Sequence, residues 1–362
     1  MKRLCVSFGK STSLRDGIGE YSEQLGRRLA SVATQLRDRH GVELMFHMHP
    51  SLHGRYGPEV GYLAADGWQR WRATSGPACD LWHRLDHFNR LHPTAGTRAC
   101  AVTIHDLNFV YAKSGLSLFR GKMRVRRALS RNQHIVTISR YVRDDLAARF
   151  GLEQPVDVVH NGARSLVLSC GRSPIPVLED APFLFHLSRM SPSKNTRAVV
   201  ELARAWPQMR FVLAGPSRSD SLQLRDELAR APLANLRLLL DISDDQKAWL
   251  YEHCAGFLFP SLTEGFGLPP IEAMHFGRPV FVSDRTCLPE IGGDAAYYLT
   301  HFDPAAMRAV IEPGIDPALA AQRADHVRAH AAQYTWERAA AGYLALYGQW
   351  LGLDFSKLTQ HV

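Results

Sequence analysis

Short runs of β-branched and apolar residues alternate with amphipathic helical stretches twice over along this chain. That alternation restricts the fold more than any other feature of the sequence. In the first half the runs fall at residues 4–8, 43–48, 100–104, 135–138 and 156–159; in the second they fall at 183–187, 211–214, 236–240, 256–259 and 280–282. Strands apolar on both faces and joined by helices build parallel sheets, because a parallel pair needs a long crossover and the crossover helices cover both faces. The first run leads through a polar loop and Gly17-Ile18-Gly19 into an amphipathic stretch at 21–33, which reads as strand, glycine-bearing loop and helix.

Two such α/β series in 362 residues imply two Rossmann-like domains facing a cleft, where α/β sheets bind ligands at the carboxyl ends of their strands. The alternation breaks at 166–181, where Gly171, Pro174 and Pro176 mark a linker. The expected domains are therefore 1–165 and 182–335. A terminal segment at 336–362 opens with an amphipathic helix that crosses back to the first domain.

Composition excludes several classes. No apolar run approaches the roughly 18–20 residues that span a bilayer, and Gly9-Lys10-Ser11 interrupts the N-terminus before a signal-peptide core can form. The six cysteines are far apart with no C-x-x-C pair, which argues against a disulfide scaffold or a cysteine zinc site and for a cytoplasmic protein. The charge is uneven. Residues 1–165 carry 25 Lys and Arg against 14 Asp and Glu, a net +11, whereas the remainder carries 18 against 21, a net −3. Only the first half is suited to an anionic surface. Nucleic acid is not expected, since no RNP, KH, zinc-finger or basic-zipper pattern occurs.

The strongest local motif runs from Pro260 to Met274. A strand closes at Phe259, a glycine-bearing loop carries Glu264, Gly265 and Gly267, and a helix begins near Pro269 or Pro270 and carries Glu272. Unsatisfied N–H groups at such a helix start can hold a phosphate. Two decoys fail. Gly9-Lys10-Ser11 imitates the end of a Walker A loop, but Leu4 stands where the first glycine belongs; His83-Arg84-Leu85-Asp86-His87 lacks the glutamate of a zinc-binding H-E-x-x-H, and its flanks read as a strand running into a loop. The remaining histidines show no clustered ligand spacing, so no metal is expected.

The Glu264–Glu272 segment resembles the E-x7-E signature of retaining glycosyltransferases of the GT-B fold, in glycosyltransferase family 4, with a glycosyltransferase family 1 domain. The resemblance extends through Phe276-Gly277-Arg278-Pro279-Val280, Ser283-Asp284 and 288–295, and through Ser188-Arg189-Met190-Ser191-Pro192-Ser193-Lys194-Asn195, which is similar to the family's donor-phosphate loop. It also takes in Val136-Thr137-Ile138-Ser139-Arg140, Val159-His160-Asn161-Gly162 and Thr335-Trp336-Glu337-Arg338, in the right order along nearly the whole chain. Thr103-Ile104-His105-Asp106-Leu107 resembles the His-Asp-Leu of mannosyltransferase-like members.

The resemblance implies a role for each of these residues. Arg189 and Lys194 stabilise the negative charge that grows on a departing nucleoside diphosphate, helped by backbone amides near Phe266, Gly267 and Leu268. Glu264 contacts the donor sugar, Glu272 accepts the ribose hydroxyls, and His105 sits beneath the donor sugar. Asp106 either assists or caps the next turn. Gly17 and Gly19 let the backbone approach the diphosphate or acceptor. Ser188 replaces the family's usual glycine and either tightens the donor site or lends it a hydroxyl; Asn161 is a further site candidate.

The expected activity is retaining, metal-independent transfer of a hexose from a nucleotide sugar. GDP-mannose is favoured over UDP-hexoses or deoxysugar donors, and the acceptor is a saccharide or lipid-linked saccharide of a surface polysaccharide. The alternatives are a sugar-nucleotide epimerase and a non-catalytic nucleotide-sugar-binding protein. On residues 115–131, Arg120, Arg124, Arg127 and Arg131 form one helical stripe beside Leu116, Phe119 and Met123, with Leu118, Val125 and Leu129 opposite. That pattern suits either reversible docking on the anionic cytoplasmic face of the inner membrane or a plain solvated face.

Overall fold

The computed structural model describes residues 1–12, 17–164, 166 and 181–358. They form two compact units, Met1–Gly162 with Thr335–Val362, and Ala163–Tyr334. The expected linker at 166–181, with Cys170, lies almost wholly outside the described residues. The other five cysteines are free thiols.

The first unit holds seven strands: β1 (Lys2–Ser7), β2 (Val42–Met48), β3 (Gly61–Ala64), β4 (Leu81–Arg84), β5 (Ala99–Ile104), β6 (His134–Thr137) and β7 (Val156–Val158). They lie in the order β3-β2-β1-β4-β5-β6-β7, every pair parallel. Leu4, Cys5 and Val6 are buried on the central strand, as expected where helices cover both faces. The helix Gly17–Ser31 buries Tyr21, Leu25 and Leu29, one stripe at a spacing of four residues. Local chemistry sets other boundaries. The helix Arg140–Phe150 starts on Ser139, whose hydroxyl accepts the Val142 N–H at 3.2 Å, and stops at Gly151 in the left-handed region.

The terminal helix Trp336–Leu351 belongs to this first unit. It starts on Thr335, whose hydroxyl accepts the Arg338 N–H at 3.2 Å. Trp336, Ala340, Tyr343 and Tyr347 enter the core that also holds Leu4, Tyr21 and Val136. A continuous polar chain ties the helix down: Tyr21 to Tyr343 (2.7 Å), Tyr343 to Thr103 (3.0 Å), Thr103 to His83 Nε2 (2.9 Å) and His83 Nδ1 to Tyr347 (2.6 Å). Tyr21, Tyr343 and Thr103 can donate in turn toward His83 Nε2 while the His83 Nδ1–H donates to Tyr347, so every member of the chain has a partner. At the foot of the helix Gly162 meets the chain. A Cβ there would stand 2.1 Å from the Trp336 nitrogen, so only glycine fits this crossing.

The second unit holds β8 (Phe183–Leu187), β9 (Arg210–Gly215), β10 (Leu236–Leu240), β11 (Gly256–Phe259), β12 (Val280–Ser283) and β13 (Tyr297–Leu299). Their order is β10-β9-β8-β11-β12-β13, again all parallel. Leu184, Phe211, Leu213, Leu258 and Phe281 share its core with Val199 and Leu202 of the helix Thr196–Ala205. The apolar runs of the sequence match ten strands to within a residue or so. β4 coincides with the strand expected to run into the His83–His87 loop, and β3 and β13 match none of the runs.

Candidate functional site

Both sheets reverse their order beside the first strand of the unit: between β1 and β4 in the first, and between β8 and β11 in the second. Connections leave such a pair toward opposite faces and open a crevice beyond the carboxyl ends.

In the second unit the two loops at this point are stitched together. The Leu262 N–H donates to the Ser193 carbonyl at 2.7 Å, and the Ser261 hydroxyl donates to the same oxygen at 3.1 Å. Lys194, from the loop after β8, meets Glu264, from the loop after β11. Both side chains are buried, and they form an ion pair between the Lys194 Nζ and a Glu264 carboxylate oxygen. The Lys194 ammonium also lies 5.8 Å from the centre of the Phe259 ring. The Glu264 N–H donates to the Thr286 hydroxyl at 3.1 Å, which fixes the loop from a third side. Arg189 is exposed in the same β8 loop.

The glycine-bearing loop ends at Gly267, whose φ of 98° is left-handed and whose absent Cβ would press on Leu288 at 2.9 Å. The helix Leu268–His275 follows, with Pro269 in its first turn. Phe266 is buried edge-on against Tyr334. On that helix Glu272 is buried. One carboxylate oxygen accepts the Tyr251 hydroxyl at 2.9 Å, and the other stands 3.6 Å from the Lys247 ammonium. Burial, and then the neighbouring Glu272 carboxylate, push the Tyr251 phenol well above its ordinary value, so it remains a donor. Sequence reasoning missed Lys247 and Tyr251, because neither lies in a motif and both reach Glu272 only through packing of the helix Asp244–His253.

Ser188 is buried immediately after β8. Its hydroxyl accepts the Met190 N–H at 3.0 Å and pairs with His186 Nε2 at 2.8 Å, so it braces the turn from within. His186 Nδ1 then donates to the Leu258 carbonyl at 2.9 Å. Burial, with a further push from the Lys194 charge, lowers this ring to about 4.

In the first unit a cavity of 380 Å³ occupies the switch point, lined by Gly9, Lys10 and Gly19 on one side and by Asp86, Asn89 and Arg90 on the other. Gly17 is exposed, and among the described residues a Cβ there would meet nothing within 4 Å. His105 follows β5, buried; its Nε2 donates to the Leu85 carbonyl at 2.7 Å, and its ring stands edge-on to Tyr21 at 4.6 Å. Asp106 caps the next turn by accepting the Asn108 N–H at 2.9 Å. Asn161 is buried beside Gly162, with its Oδ1 unbonded among the described residues.

The helix Gly115–Ser130 turns Val125 and Leu129 inward and leaves Leu116, Phe119 and Met123 exposed at 62%, 58% and 44%. Arg120, Arg124, Arg127 and Arg131 are exposed with them. No helix among the described residues is long and apolar enough to cross a membrane. No group of three or more His, Cys, Asp or Glu among them could hold a metal ion.

Comparison with known proteins agrees with this layout. Residues 172–322 match the model of glycosyl transferases group 1, and residues 25–164 match that of glycosyltransferase family 4. The O-antigen chain mannosyltransferase B of Escherichia coli is 27% identical over 89% of this chain and 93% of its own. The O-antigen chain mannosyltransferase RfbU of Salmonella typhimurium is 24% identical over 58% of this chain, and the match spans 59% of that protein's length. The solved sucrose-phosphate synthase of Thermosynechococcus elongatus superposes with a TM-score of 0.72 at 18% identity, over 97% of this chain and 100% of that one. With one family model on each α/β unit and a shared two-domain fold, the chain belongs to the GT-B glycosyltransferases, in the families these two models describe.

Proposed function

We propose that this protein is a retaining hexosyltransferase of surface-polysaccharide assembly, moving mannose from GDP-mannose to a saccharide or lipid-linked saccharide at the cytoplasmic membrane face. The observation that carries the reading is the buried Lys194–Glu264 pair at the second switch point, beside the start of the helix that bears Glu272. A cation held by a carboxylate in a low-dielectric crevice is set in place before charge develops on a diphosphate. The names of the relatives, O-antigen mannosyltransferases, support mannose and the polysaccharide setting.

In the proposed reaction the bond between C1 and the diphosphate oxygen breaks, and its electron pair leaves with the nucleoside diphosphate. The acceptor hydroxyl attacks C1 from the same face, and its proton passes to a diphosphate oxygen. Lys194 and Arg189 balance the growing charge, which makes a metal unnecessary. Glu272 accepts hydrogen bonds from the ribose, steadied by Tyr251 and Lys247. His105 is proposed to contact the sugar, with its Nε2–H committed to Leu85 and its ring held by Tyr21.

The test is incubation with GDP-mannose, UDP-glucose and related donors, with and without EDTA, followed by assay of free nucleoside diphosphate and NMR of the product anomer. The expected result is GDP release that survives EDTA, with α-configured product from an α-linked donor. No release from any donor, or an inverted product, overturns the reading.

A further inference from the structure

A second cavity in the first unit, of 480 Å³, adjoins the switch-point cavity and shares Phe88, Asn89 and Arg90 with it. Its walls carry Arg84, Arg90, Arg124, Arg126, Arg127 and Arg131. Arg84 is the informative one. At 7% exposure, its side chain hydrogen-bonds the Asn132 amide oxygen at 2.7 Å, the Leu91 carbonyl at 3.3 Å through two nitrogens, and the Cys100 side chain. A buried cation whose hydrogen-bond partners among the described residues include no carboxylate is expensive.

The surroundings make the imbalance worse. Arg90 is held below its ordinary value by burial and then by the charges of Arg124, Arg70 and Arg127; Arg131 is held down by burial and then by Arg127 and Arg84. His87 lines the same cavity, buried, with neither ring nitrogen hydrogen-bonded among the described residues; its Nδ1 stands 3.5 Å from the Asp86 carboxylate. Phe88 and Met123, both partly exposed, supply an apolar rim that continues along the helix to Phe119 and Leu116.

We propose that this cavity is a binding site for a diphosphate group carried on an apolar chain, and that it holds the anchor of a lipid-linked acceptor whose sugar lies in the adjoining cavity. Six guanidinium groups suit an anion of two or more charges, and arginine's fixed fork matches phosphoryl oxygens. The apolar rim suits the first carbons of the chain. The acceptor assignment rests on the proposed transferase activity; the diphosphate site does not.

Calorimetric titration with geranyl diphosphate tests it on three proteins: the unaltered chain, Arg90→Gln/Arg127→Gln, and Lys194→Gln. Arg90 and Arg127 are exposed, so the double variant is expected to keep the native circular dichroism spectrum. The expected result is a site whose affinity falls at least tenfold in the double variant, is retained in Lys194→Gln, and is competed by inorganic pyrophosphate but not by geraniol. No binding, binding undiminished in the double variant, or binding lost in Lys194→Gln instead overturns the proposal. So does a double variant that loses only its association with phosphatidylglycerol vesicles, since the arginines then serve a membrane surface. A chain that releases nucleoside diphosphate from a donor yet binds no geranyl diphosphate removes this site alone. Binding without turnover of any donor removes the transferase reading and leaves the site.

Discussion

Lys194 and Glu264 are seventy residues apart in sequence, yet they form one buried ion pair because β8 and β11 are neighbours at the point where strand order reverses. Their loops are joined by two hydrogen bonds to a single oxygen, that of Ser193. The cation thus occupies a fixed position before any ligand arrives.

Lys194→Ala is expected to lower kcat by about 10²–10³ with acceptor KM little changed, the usual consequence of removing one donor to a developing charge. It also strands the Glu264 carboxylate, so Tm falls. Adding Glu264→Gln recovers part of the Tm but none of the kcat. Arg189→Ala, at an exposed residue, lowers kcat without a stability cost. Steady-state kinetics and thermal melts separate the two effects, and unchanged turnover in either single variant removes that residue from the site.

Glu272→Ala is expected to raise donor KM by about ten- to a hundredfold with little change in kcat. Ribose contacts act alike in ground and transition states, and a charged hydrogen bond contributes roughly 1.5–3 kcal/mol. Tyr251→Phe, which removes one of its supports, raises KM less. A large fall in kcat at constant donor KM would count against the ribose role.

Stability should decline on mild acidification. Burial lowers His186 to about 4 and His47 to about 4, so both rings stay neutral in the folded chain while their unfolded counterparts protonate near 6.5. The unfolded state binds more protons in that window. Their contribution is therefore whole above about pH 6.5 and lost as pH falls toward 4, amounting to about 2 kcal/mol per ring at pH 5. Tm measured at pH 7 and pH 5 checks this. His186→Gln should flatten the slope, and a Tm that does not move with pH excludes the assignment.

Gly162→Ala is expected to cost at least about 1–3 kcal/mol, because its Cβ would overlap the Trp336 backbone. Gly17→Ala, with open space around it, should alter stability by less than about 0.5 kcal/mol. Urea unfolding compares them. If Gly17 serves ligand approach, its alanine variant loses activity without losing stability.

Membrane docking, if the exposed helix face provides it, should weaken when Leu116 and Phe119 become Ser and Arg120 becomes Gln. Co-sedimentation with anionic and neutral vesicles at low and high salt measures it, each cation near the surface contributing about 1 kcal/mol. Equal binding to both lipids, or no loss in the triple variant, leaves the face merely solvated.

The amino-acid sequence by itself determined the α/β alternation, the two-domain division and the motif positions of Lys194, Glu264 and Glu272. Each of these depends on local periodicity or on spacing along one loop and helix. It marked β4 only as a strand running into the His83–His87 loop, not as the strand at the switch point of the first sheet. Leu81-Trp82-His83-Arg84 carries two polar residues where a central strand should be apolar, and they are tolerated only because His83 joins the tyrosine chain of the terminal helix and Arg84 reaches Asn132 and Leu91. Ser188 shows the same limit. Its hydroxyl turns toward His186 and Met190 because the crowded β8 turn needs an acceptor there, which no spacing rule announces. Only the tertiary structure decided which side chains answer one another across the sheet. Strand order brings together residues whose separation in sequence carries no trace of the meeting, and burial then forces each polar group to find a partner within reach.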